Sequence, residues 1–156
     1  VEYLYGKGRK LVDKYPTSSV CMFNIVNLAQ INDNIGRKTG NDVITKVSEF
    51  IRNSISEEYL FVRYMGPKFL IVFSGVETDG VVDFLRGLKT DVENIKIEIN
   101  ENDKQNKKTT KNNTVSPMLN FVVTTYYKGT ALESLNKKLE EYLDEAETKE
   151  SDINLI

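Results

Sequence analysis

Histidine and tryptophan are absent from the 156 residues, cysteine occurs once and proline three times. Without histidine there is no Ser/His or Cys/His nucleophile and no imidazole-ligated metal. The lone Cys21 cannot close an internal disulfide, and within SVCMFNIV it reads as a small buried hydrophobe rather than a reactive thiol. This usage fits a reducing compartment, so a cytoplasmic setting is expected, free or as the cytoplasmic part of a membrane protein. No run approaches the roughly 18 apolar residues of a membrane span, and VEYLYGKGRK lacks the apolar core of a signal peptide. The 21 Lys+Arg against 23 Asp+Glu leave a net charge of -2. No global positive field therefore draws the chain to nucleic acid or an anionic membrane, and neither contact is expected.

What remains is an ordinary globular composition, 40% apolar and 28% charged, which argues against disorder. The length suits a single domain over 1–156 with a proper core. The chain begins at Val1 rather than Met and is expected to be a piece excised from a longer multidomain chain.

Leu4, Leu11, Val12 and Tyr15 fall at helical spacing, predicting a helix over roughly 2–14 that Pro16 and Thr17-Ser18-Ser19 close. Val20 to Val26 is a continuous apolar run broken by Asn24, which suits a central strand covered on both faces. A helical turn, LAQINDNIG, leads through Gly36 and Gly40 into an apolar stripe from Val43 to Ile55, with Asn41 or Asp42 as candidate N-cap. Leu60 to Tyr64 and Phe69 to Phe73 are β-prone runs, and Met65-Gly66-Pro67-Lys68 between them reads as a tight hairpin turn. Helical spacing returns from Val81 to Ile95, followed by a brief strand at Lys96 to Ile99.

Residues 100–114, NENDKQNKKTTKNNT, hold no apolar side chain and are expected to bury nothing, as a flexible polar loop. Met118 to Tyr127 resumes as a strand, Leu132 to Ala146 gives the clearest amphipathic helix, and Ile153 to Ile156 suits an edge strand. The acidic LEEYLDEAETKESD reads as that helix's solvated face, and Tyr126-Tyr127 as strand residues, one buried and one exposed. A β-α-β-β-α-β core follows, an α/β sandwich of ferredoxin-like type with a mixed central sheet flanked by helices.

The segment FNIVNLAQINDNIGRKTGNDVITKVSEFIRNSI, followed by VRYMGPKFLIVFSG, resembles the GGDEF domain, whose active members condense two GTP molecules into cyclic di-GMP. Ile31-Asn32-Asp33, Gly36, Gly40, Arg63-Tyr64, Gly66 and Phe69 stand at the family's spacings, and the resemblance covers most of 18–100. It implies a nucleotidyl cyclase palm-type sandwich with the signature motif on its hairpin. The departures fall on the chemistry. The hairpin reads Met65-Gly66-Pro67-Lys68-Phe69, so both acidic positions are gone, and Asn24 stands where the first strand should carry a metal-binding carboxylate. Val26 replaces a second aspartate, Ala29 a phosphate-contacting lysine and Arg37 a histidine. Asn32 matches the family's guanine-contacting asparagine and Asn41 stands in for its guanine-edge aspartate, although the residues by themselves read more readily as a helix-turn hydrogen bond for Asn32 and a plain N-cap for Asn41. The R-x-x-D of the family's inhibitory product site aligns with Ser56-Glu57-Glu58-Tyr59 and is absent.

The resemblance thus implies a catalytically inactive, degenerate GGDEF domain, with no cofactor or metal and no catalytic residue. Its expected role is regulation or protein interaction in cyclic di-GMP or related signalling. Neighbouring domains of a longer chain, a partner protein or a second copy in a homodimer are the expected partners. The alternative is a nucleotide-sensing module that binds GTP weakly through Asn24, Asn32 and Asn41 without cyclase activity. A third reading, a slow nucleotide hydrolase recruiting metal through Asp33 or Asp42, is weaker, because both suit helix caps.

Overall fold

A computed structural model describes residues 9–106, 113–145 and 152–156. A five-stranded sheet is built around β1 (Thr17–Ile25), whose side chains are buried at eight of nine positions. On one side β1 pairs antiparallel with β3 (Lys68–Phe73), which pairs with β2 (Leu60–Met65). On the other it pairs antiparallel with β6 (Leu119–Tyr127), which carries β7 (Ile153–Leu155) as a parallel edge. The order β2-β3-β1-β6-β7 contains the ferredoxin-like arrangement expected for β-α-β-β-α-β.

The period-2 alternation of β1 sorts the core into two layers. Cys21, Phe23 and Ile25 face α2 (Leu28–Asn34), α3 (Arg37–Ser54) and α4 (Thr78–Glu93), where Phe23 lies 5.1 Å from Phe69 and 5.0 Å from Phe121 between ring centroids. Val20 and Met22 face the opposite layer, formed by Val12 of α1 (Arg9–Val12) and by Leu132, Leu139 and Leu143 of α5 (Leu132–Glu145). Burial pushes the Cys21 thiol pKa far up, in keeping with a packing role. Tyr126 is buried and its hydroxyl donates to Asp13 Oδ1 at 2.9 Å, whereas Tyr127 is exposed. Among the described residues no helix is long and apolar enough to cross a membrane.

Several expectations are corrected. The helix expected over 2–14 is described only as α1 (Arg9–Val12) and ends at Val12 rather than residue 14, while its residues 2–8 lie outside the described residues. Thr17-Ser18-Ser19 do not close that helix but begin β1, because the chain beyond β3 meets their side chains. Ser19 Oγ donates to Val76 O at 2.6 Å and Ser18 Oγ accepts from Gly75 N at 3.0 Å. The brief strand expected at Lys96 to Ile99 is present as β4 (Ile97–Glu98) and pairs with β5 (Thr114–Val115) outside the main sheet.

Another correction concerns 100–114, a stretch expected to bury nothing. Glu101–Asn106 is a 3-10 helix and Asp103 is buried. Asp103 Oδ2 accepts from Thr39 N at 2.6 Å, satisfying one of the free amides at the start of α3. A Cβ at Gly36, whose φ is 149°, would collide with the Asp103 carboxyl, so this approach requires glycine. Asn41 and Asp42 therefore do not cap α3. They lie inside it, Asn41 exposed, while Asp42 Oδ2 accepts from Asn100 Nδ2 at 2.9 Å. Asp33 is exposed near the end of α2 and caps no helix start. Residues 107–112 of the expected loop lie outside the described residues.

Candidate functional site

The end of β1 gathers most of the positions singled out in the sequence. β2 and β3 form a hairpin whose turn is Gly66-Pro67 alone, because Met65 and Lys68 are themselves paired strand residues. Gly66 at φ 57° holds the first turn position, which takes a residue of positive φ, and the proline ring restrains the second. A register shift between Arg63 and Met65 bends β2 there, and Arg63 Nε donates to Gly66 O at 2.8 Å. The hairpin tip leans on the end of β1, where Ile25 N donates to Pro67 O at 3.2 Å. Met65 and Met118 are exposed, and Phe69 is buried between Phe23 and Phe61.

Asn24 lies opposite Lys68 in β3 and Asn120 in β6, so the three share the face that α5 covers. Asn24 is buried, and its Oδ1 has no hydrogen-bond partner among the described residues. Lys68 reaches α5, its Nζ donating to Asp144 Oδ1 at 2.6 Å and lying 3.4 Å from Glu140 Oε2. Burial alone would lower the ammonium pKa, but the hydrogen bonds and charges of Asp144 and Glu140 outweigh it and hold the pKa above the usual lysine value. Asn120 Oδ1 accepts from Asn154 Nδ2 at 3.0 Å, and Asn154 Oδ1 accepts from Tyr142 at 3.2 Å, tying β7 to α5. Glu140 and Asp144, expected on a purely solvated helix face, thus hold the hairpin.

The other named positions lie on the far layer. Asn32 projects across the crossing of α2 and α3, so close to Gly40 that a Cβ there would collide with Oδ1. Asn41, three residues after Lys38 on α3, points into solvent and is not brought onto Asn24. Ala29 is exposed on α2. Ser56–Tyr59 forms the turn between α3 and β2, closed by Tyr59 N on Ser56 O at 3.1 Å, with the Tyr59 ring 5.2 Å from Phe73. Sequence reasoning missed the carboxylates facing Lys68. The signal was present in the i,i+4 spacing of Glu140 and Asp144 on α5, but not which residue they would meet.

An antiparallel β-α-β-β-α-β sheet whose hairpin tip meets the end of its central strand is a ferredoxin-like α/β sandwich, the class that the resemblance implies for a nucleotidyl cyclase palm. The family model described as "Diguanylate cyclase, GGDEF domain" matches residues 8–152, and the chain belongs to that family. Over 80 residues it is 31% identical to diguanylate cyclase DosC of Escherichia coli K12, a match covering 51% of this chain and 17% of DosC. The fold is similar to that of the diguanylate cyclase SiaD of Pseudomonas aeruginosa, solved in complex with its activator SiaC. The TM-score is 0.82 at 14% identity, over 99% of this chain and 57% of that one. It is similar also to the GGDEF domain of DgcB from Caulobacter crescentus in complex with c-di-GMP, with a TM-score of 0.78 at 15% identity over 99% and 86% of the two chains.

Proposed function

We propose that this GGDEF domain does not condense GTP and serves as a regulatory, protein-interacting module in cyclic di-GMP signalling. The observation that carries the reading is Lys68. At the position of the motif's second acidic residue stands a cation already engaged by Asp144 and Glu140.

The divalent metal that the family implies does not fit the residues present. Mg²⁺ takes carboxylate oxygens in near-octahedral geometry. Here Asn24 offers one neutral oxygen, Pro67 offers no side-chain donor, and the neighbouring ammonium repels a second cation. Among the described residues no three His, Cys, Asp or Glu side chains come together to hold an ion. Phosphoryl transfer depends on neutralising the charge that gathers on the phosphates, and these residues offer a metal no place from which to do so. Asn41 points into solvent and is not brought onto Asn24, which favours an interaction role over a sensor of free nucleotide.

The purified chain incubated with GTP and either Mg²⁺ or Mn²⁺ is expected to yield no cyclic di-GMP by chromatography. A product peak above the enzyme-free blank overturns the reading. Saturable GTP binding by calorimetry, lost in Asn32→Ala, supports nucleotide sensing instead.

A further inference from the structure

We infer that the groove between the end of α3 and the first turns of α4 docks a cationic amphipathic segment of a partner protein. The inference deepens the interaction reading, and its test is a binding measurement, so the two can fail separately. The groove lies at Ser54–Tyr59, away from the Lys68 contacts on α5, and holds about 200 Å³ between Ile55, Tyr59, Phe73, Val76, Val81 and Phe84. That volume is below the usual range of small-molecule sites, roughly 300–1,000 Å³, and suits one large apolar side chain.

Its walls are aromatic. The Phe73 ring packs 5.2 Å from Tyr59 and edge-on to Phe84 at 6.0 Å, yet Phe84 remains 40% exposed. Gly80 weakens the first turn of α4 relative to alanine but puts no side chain over the opening; a Cβ there would meet only Val76 Cγ1, at 3.8 Å. An aromatic shelf kept open in this way resembles the desolvated anchor pockets of protein interfaces.

Charge selects the occupant. The segments 54–60 and 74–85 that build the groove carry Glu57, Glu58, Glu77, Asp79 and Asp83 and no lysine or arginine. All five are exposed, and none joins an ion pair among the described residues. Each of these carboxylates is within two positions in sequence of a lining residue, and Arg52 and Arg86 stand just outside the two segments. A local excess of negative charge disfavours nucleotides, nucleic acid and anionic lipid, and draws in an apolar anchor flanked by Lys or Arg. A basic helix with one apolar face meets both demands, the helix-in-groove mode of peptide recognition.

The probe is a fluorescein-labelled 14-residue helix of leucine and lysine, titrated with the 156-residue chain by anisotropy. Saturable binding is expected, weakened about tenfold by Phe84→Ser and by Asp79→Lys/Asp83→Lys. The same charge change on exposed α5 positions, Glu141→Lys/Glu145→Lys, is expected to leave it within about twofold, the latitude allowed for a screened distant charge. Absence of saturation overturns the inference, as does equal weakening by the α5 variant, which would mean bulk charge alone. Sedimentation of the chain without peptide decides a further outcome: a dimer that Phe84→Ser dissociates would make a second copy the occupant and overturn the partner assignment.

Discussion

Asn136 sits on the buried face of α5 among Leu132, Leu139 and Leu143, fully enclosed, with neither Oδ1 nor Nδ2 hydrogen-bonded among the described residues. Enclosing an amide without partners costs about 1–3 kcal/mol. A side chain of similar size without polar atoms removes that cost. Asn136→Leu is therefore expected to stabilise the domain by about 1–3 kcal/mol, read as a higher urea midpoint at unchanged slope. A lower midpoint would mean that the amide holds an internal water or a partner that the leucine displaces. Lys68 shows the opposite economy at residue scale, since a partly buried charge there finds two carboxylates rather than none.

At the scale of elements, the start of α3 depends on a segment more than sixty positions away. Asp103 takes the Thr39 amide, Thr39 Oγ1 accepts from Asn100 N at 3.0 Å, and Asn100 reaches Asp42, so the 3-10 turn and the first turns of α3 form one unit. Loss of a helix-capping carboxylate costs about 1 kcal/mol, up to about 2. Asp103→Ala is expected to lower stability by that amount, and Asp103→Asn to recover part of it, because an amide oxygen can still accept from Thr39. Thermal melts of the two variants measure this. Equal melting temperatures for the wild type and Asp103→Ala would show that the contact contributes nothing.

At the scale of the whole molecule, hairpin, central strand and last helix act on one another through a single shared face. Met65→Gly, Pro67→Asp and Lys68→Glu together rewrite the hairpin as the family motif. They also set a new carboxylate against Glu140 and Asp144 in place of the ammonium that joins them. The triple variant is expected to melt below the wild type and to form no cyclic di-GMP, because Asn24 still supplies no carboxylate and Ala29 no phosphate contact. Groups that act as a unit recover rate only when repair is nearly complete. Adding Asn24→Asp and Ala29→Lys is expected to raise turnover above that of the triple variant, provided circular dichroism shows both folded. Equal turnover by the two would refute the argument that catalysis was lost on two separate strands.

The order of elements was legible from the chain because it rests on local patterns. The apolar run of β1, the paired runs of β2 and β3, and the stripes of α3, α4 and α5 each declare their period within a dozen residues. The family resemblance was legible for a related reason, since its glycines and asparagines stand at fixed offsets within one supersecondary unit. The sequence also carried the altered hairpin, residue by residue. Only the tertiary structure decided which polar groups found partners. That Asp103 would be buried against Gly36, that Lys68 would meet Glu140 and Asp144, and that Asn136 would find no hydrogen-bond partner among the described residues depend on segments brought together from far apart in the chain. One polar side chain looks much like another in a local pattern, and the free energy of burying it is set by what the fold places within about 3 Å of it.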